Sequence, residues 1–66
     1  MAVARVTEIT AASPKSFQDA METGLARAHK TLRNVKGAWI QGQKVTVQKG
    51  KVVEYRVNMK VTFVLE

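Results

Sequence analysis

No cysteine occurs in this chain of 66 residues, and histidine, proline and tryptophan occur once each. Without thiols there is no disulfide framework, and with His29 as the sole imidazole the usual ligand set of a structural zinc cannot be assembled. A chain this short buries only about 60% of its unfolded surface and ordinarily leans on a disulfide, a metal or partner subunits. Association with other chains, or a very well packed core, is what remains. Carboxylates are scarce as well: five Asp and Glu stand against 11 Lys and Arg, a formal net charge of +6. That balance favours anionic partners, although the basic residues are scattered in the manner of a solvated surface. Catalytic patterns are missing too. His29 sits between Ala28 and Lys30 with no triad partner, the carboxylates are dispersed, and no Gly-rich phosphate loop occurs, so a non-enzymatic protein is expected. No segment approaches the roughly 20 apolar residues of a membrane helix and no targeting signal is visible, which makes the cytoplasm, away from membranes, the expected compartment.

What is present is strong periodicity. Residues 1–66 read as a single domain, with no linker, repeat or low-complexity run. The β-branched segment AVARVTEIT predicts a first strand. In AASPKS, Ser13 is the expected helix cap, with Pro14 at the first helical position, where its missing N–H costs nothing. Phe17, Ala20, Met21, Gly24, Leu25, Ala28 and Leu32 then recur at helical spacing, and Asn34 or Gly37 can end a helix running from Ser13 to about Arg33. Beyond Gly37 the period becomes two. AWIQGQKVTVQ predicts a second strand, Lys49 and Gly50 a tight turn, and the closing VVEYRVNMKVTFVLE a long third strand. The fold class is therefore α+β, in the order β-α-β-β, with a three-stranded antiparallel sheet wrapped around one helix.

Along the last strand Val53, Tyr55, Val57, Met59, Val61, Phe63 and Leu65 form an apolar stripe. A helix from Ser13 to Arg33 would be roughly 30 Å long, whereas the strand would extend on the order of 45–50 Å. The helix cannot cover the stripe, and each exposed side chain stands to gain about 1.5–3 kcal/mol on burial. An obligate homo-oligomer is expected, its symmetry axes bringing copies of one surface together.

With Lys49 and Gly50 as a two-residue turn, an unbroken register places Glu54 opposite Val45, Arg56 opposite Gln43, Asn58 opposite Gln41 and Lys60 opposite Trp39. Ile40 then faces Met59, and Gly42 faces Val57, on the covered side. Trp39 lands on the polar face, ringed by Gln41, Gln43, Arg56 and Asn58. A flat π-surface among donors and acceptors suits a planar heteroaromatic ligand. A tryptophan packed in an intersubunit contact is the competing use. RNA-reading sheets usually offer two or three stacking aromatics, and this face offers one, which ranks nucleic acid below a small molecule.

Four stretches, VTEIT, SPKSFQDAM, LARAHKTLRNVKGAW and VEYRVNMKVTFVLE, in this order and over almost the whole chain, resemble the dodecin family. The resemblance implies a hollow homo-dodecamer of β-α-β-β protomers. It also implies a flavin store: isoalloxazine rings bound in pairs against a tryptophan near a symmetry axis, with a last-strand glutamine on the ring edge. Arg56 stands at that glutamine's position, since the family's Tyr-Gln-Val reads YRV here, and the family's tryptophan position falls on Gly37, two residues before Trp39. Arginine offers donors only. The resulting expectation is a non-catalytic protein that stores or sequesters flavin, as riboflavin or FMN, through Trp39, Arg56, Gln41, Gln43 and Asn58. The alternative is a dodecin-fold assembly whose ligand is another anion such as coenzyme A or a nucleotide, a cation, or no small molecule.

Overall fold

The computed structural model describes residues 3–65. The expected first strand from Ala2 and last strand to Glu66 each reach one residue outside the described range. Strand β1 spans Val3–Ser13, helix α1 Phe17–Thr31, β2 Val35–Gln48 and β3 Lys51–Leu65. All pairings are antiparallel and the sheet order is β1-β3-β2, so the last strand is central. The expected β-α-β-β architecture is the observed one.

The helix starts later than Ser13. Ser16 is the N-cap, and its hydroxyl accepts from the Asp19 N–H at 2.9 Å. Ser13 instead ends β1, buried, where its hydroxyl donates to the Asp19 carboxylate and accepts from the Lys15 N–H. Two serines three residues apart compete for the cap, and the one whose extended backbone immediately precedes the helical residues takes it. At the far end Asn34 turns the chain at a φ of 59°, and its carbonyl accepts from the Val64 N–H at 3.1 Å. Gly37 belongs to β2.

Ala20 and Ala28 of α1 and Val57, Met59 and Val61 of β3 are buried, with Ile9, Ala11, Phe17, Met21, Leu25 and Ile40 packed around them. Phe17 meets Tyr55 edge to face at 5.0 Å. Gly24 sets how closely α1 approaches: a Cβ there would lie 2.7 Å from the Ala11 Cβ and 3.0 Å from the Met59 Cε. At about 22 Å for its 15 residues, the helix spans less than half of the molecule's 52 Å long axis. Past its end, Val45, Val47, Val52 and Val53 remain exposed near the β2–β3 turn.

That turn is the one expected, with Lys49 and Gly50 at φ of 53° and 77°, as a two-residue type I′ turn demands. The register it launches is not unbroken. Val47 pairs with Val52, but the next pair is Thr46 with Glu54, leaving Val53 as an extra residue; farther along, Gln41 is extra between the Ile40–Met59 and Gly42–Asn58 pairs. Between these two bulges the pairs are Val45–Tyr55, Lys44–Arg56 and Gln43–Val57. The expected Val45–Glu54, Gln43–Arg56, Gln41–Asn58 and Gly42–Val57 pairs are thus corrected by one residue, whereas Ile40–Met59 and Trp39–Lys60 stand. Bulges add twist, which a long ribbon needs in order to curl over a single helix.

Candidate functional site

Residues of β3 that alternate with buried Val57, Met59 and Val61 look away from α1, and cross-strand partners share their face. The registers set this outer face out in rows across β1, β3 and β2: Glu8–Lys60–Trp39, then Thr10–Asn58–Gly42, then Ala12–Arg56–Lys44, with Glu54 and Thr46 beyond. Trp39 is 68% exposed, and the Lys60 ammonium stands 6.0 Å from its ring centroid. Gly37 and Gly42, before and after it on β2, have nothing within 4 Å of where a Cβ would point. The indole therefore stands on an unobstructed stretch of backbone.

A depression of about 360 Å³ lies on this face, lined by Thr10, Gly42, Gln43, Lys44, Arg56 and Asn58. Thr10 donates to the Asn58 Oδ1 at 2.7 Å, and the Asn58 amide reaches the Glu8 carboxylate at 3.5 Å. Arg56 donates through Nε to Glu54 Oε1 at 2.7 Å, and Thr46 reaches the same oxygen at 3.5 Å. The hydrogen bond from Arg56 and its charge hold the Glu54 carboxyl below its ordinary range. Chemically the depression offers N–H donors and positive charge, with the Gln43 amide adding an acceptor.

Arg56, Asn58 and Gln43 are brought together here. Gln43 does so from a position in register with buried Val57, not on the Arg56 row. Trp39 lies two rows from Arg56, about 13 Å along the strand direction. Gln41 is the bulge residue between them and is exposed. Sequence reasoning missed Thr10, Glu8 and Lys44. The first two arrive through the β1–β3 register, which no hairpin signal encodes; Lys44 arrives through the bulges.

The dodecin family profile matches residues 3–66. The chain belongs to the dodecin family. Among solved dodecins, that of Streptomyces davaonensis is 31% identical, with a TM-score of 0.94 over 98% of this chain and 96% of its own. Arginine-to-alanine and tryptophan-to-phenylalanine mutants of the Thermus thermophilus dodecin are each 32% identical at a TM-score of 0.94, covering 100% of this chain and 98% of their own. A third, the calcium dodecin of Mycobacterium tuberculosis with a calcium-binding site, is 28% identical, with a TM-score of 0.84 over 97% and 91% of the two chains. Comparison with curated protein sequences gave no match.

Near-complete coverage in both directions means that no element of this dodecin is an insertion. Among the described residues no three His, Asp or Glu side chains cluster as a metal site, and the carboxylates on the outer face are spoken for, Glu54 by Arg56 and Glu8 by Asn58. Among the described residues no helix is long and apolar enough to cross a membrane.

Proposed function

We propose that this dodecin is a non-catalytic flavin store or buffer of the cytoplasm, assembled as a homo-dodecamer, in which riboflavin or FMN stacks on Trp39. One observation carries the reading: the molecule's single tryptophan is left 68% exposed on the sheet face opposite the helix, between two glycines over which nothing packs. Leaving so large an apolar ring in water forfeits burial worth a few kcal/mol, unless a ligand or a neighbouring copy covers it. The residues present fit a flavin in kind. Trp39 supplies the π-surface, the open backbone at Gly37 and Gly42 admits a flat ring, and Arg56, Asn58 and Gln43 supply polar contacts for its carbonyl edge, with Gln41 at the bulge. Arg56 can donate to carbonyl oxygens but cannot accept from a ring N–H. On this reading that task passes to an amide, and Gln43 is the amide in the depression not already tied to β1.

Titrating riboflavin and FMN into the native assembly tests this. Stacking against indole should quench flavin emission, and Trp39→Ala should weaken binding at least about five-fold, the lower end of what losing one aromatic stacking partner costs. Unaltered emission at high micromolar flavin, with the assembly intact, would reject the flavin reading. A second reading, another anionic ligand such as a nucleotide or coenzyme A, is favoured by Lys44 and Arg56 standing side by side in the depression. Native mass spectrometry of the assembly taken from its source separates the two by ligand mass.

A further inference from the structure

Arg56, which lines the depression, is paired with Glu54. Both side chains are substantially exposed, at 45% and 34%, and such surface pairs add little to stability. Yet the bond is short and uses Nε, leaving the terminal guanidinium nitrogens as donors. Directly across the ladder from Arg56 stands Lys44, another cation, an unfavourable neighbour for it. Both cations line the depression, and Glu54 does not. Glu54 therefore touches the depression only through Arg56, and it brings the local charge from two positive units to one.

Resting on the reading of this depression as a ligand site, we propose that Glu54 is a positioning and specificity residue. By gripping Arg56 at Nε it aims the remaining N–H donors, and by its charge it tunes the depression toward the uncharged, carbonyl-bearing edge of a planar heterocycle and away from phosphate. Thr46, whose hydroxyl reaches the same carboxylate oxygen, supports the grip from the neighbouring strand. Two roles are separable by substitution. Glu54→Gln keeps an oxygen that can accept from Nε but removes the charge, whereas Glu54→Ala removes both.

The experiment measures inorganic pyrophosphate, riboflavin and FMN binding by calorimetry at low salt. The proteins are the native assembly and the Glu54→Gln, Glu54→Ala and Glu54→Gln/Arg56→Gln variants, each checked for unchanged native mass. Glu54→Gln should tighten pyrophosphate about three- to ten-fold, the scale of one unscreened charge at the rim of a site. The double variant should return it to the starting value. FMN should gain over riboflavin by a similar factor in Glu54→Gln, and riboflavin should weaken more in Glu54→Ala than in Glu54→Gln. Pyrophosphate affinity indifferent to Glu54→Gln overturns the proposal, and so does equal riboflavin weakening in both single variants. If neither flavin binds the native protein while the pyrophosphate arm responds as expected, the flavin reading falls and the positioning of Arg56 toward a heterocycle falls with it, whereas the effect of the Glu54 charge on phosphate affinity stands.

Discussion

The two halves of the β2–β3 ribbon carry much the same kind of side chain and meet opposite fates. Under the helix, Val57, Met59 and Val61 are buried, with Met59 at 0% exposure; past its end, Val45, Val47, Val52 and Val53 are 40–55% exposed. Composition does not separate them, for both halves are rich in valine. Reach separates them, because a 15-residue helix stops about 22 Å along a sheet that runs more than twice as far. The covered half stabilises the protomer. The bare half is apolar surface that the protomer leaves exposed, and in the homo-oligomeric assembly proposed above a neighbouring copy would cover it.

Charging the bare half is the strongest way to break this comparison. In Val47→Glu/Val52→Glu, two carboxylates face each other across the ladder, where like charges repel and where a neighbour's apolar surface would have to desolvate both. Native mass spectrometry should show the assembly lost, with a protomer that melts well below the native protein or fails to fold at micromolar concentration. If the double variant assembles normally, the overhang is not the contact that drives association.

Within the covered half the corresponding test is Gly24→Ala. The added methyl would meet the Ala11 Cβ at 2.7 Å, and Ala11 is carried on strand backbone with no flexible end to swing aside. Overpacking of this kind costs about 1–3 kcal/mol, against which the better helix propensity of alanine returns about 1 kcal/mol. A net loss of stability in thermal melts is expected, with the assembly's native mass preserved. A gain would mean that α1 can ride outward at no cost, and that close helix–sheet contact is not what distinguishes the two halves.

The same contrast governs how much was legible in the sequence. The covered half announced itself: period two on β3, period 3.6 from Phe17 to Leu25, and a Lys-Gly turn between two runs of strand are local signals. Bulges leave no such trace. Val53 and Gln41 look like any other strand residues, yet the pair of them shifts every partner from Thr46 to Gly42 by one. This is why Trp39 opposite Lys60 was foreseeable and Lys44 opposite Arg56 was not. The helix start was missed for a related reason, since Ser13 and Ser16 are equally good caps in isolation and only the end of β1 decides between them. The contribution of Thr10 and Glu8 to the outer face was hidden in a long-range register between the first and last strands.

The smallest effect is expected at the tip of the bare half, where the ribbon turns. Lys49 holds a φ of 53° and is followed by Gly50 at 77°, so a side chain with no means of stabilising the left-handed region occupies the first central position of the turn. Left-handed backbone costs an ordinary residue roughly 1 kcal/mol or more, whereas asparagine enters it readily through its own local hydrogen bonds. Lys49→Asn should therefore raise stability by about 0.5 kcal/mol, read as a small rise in melting temperature at constant protein concentration. Because the exposed valines beside the turn are untouched, the native mass should not change. A stability gain accompanied by a change in subunit number would show that Lys49 takes part in the contact between copies. The bare half would then have to be drawn to include the turn itself.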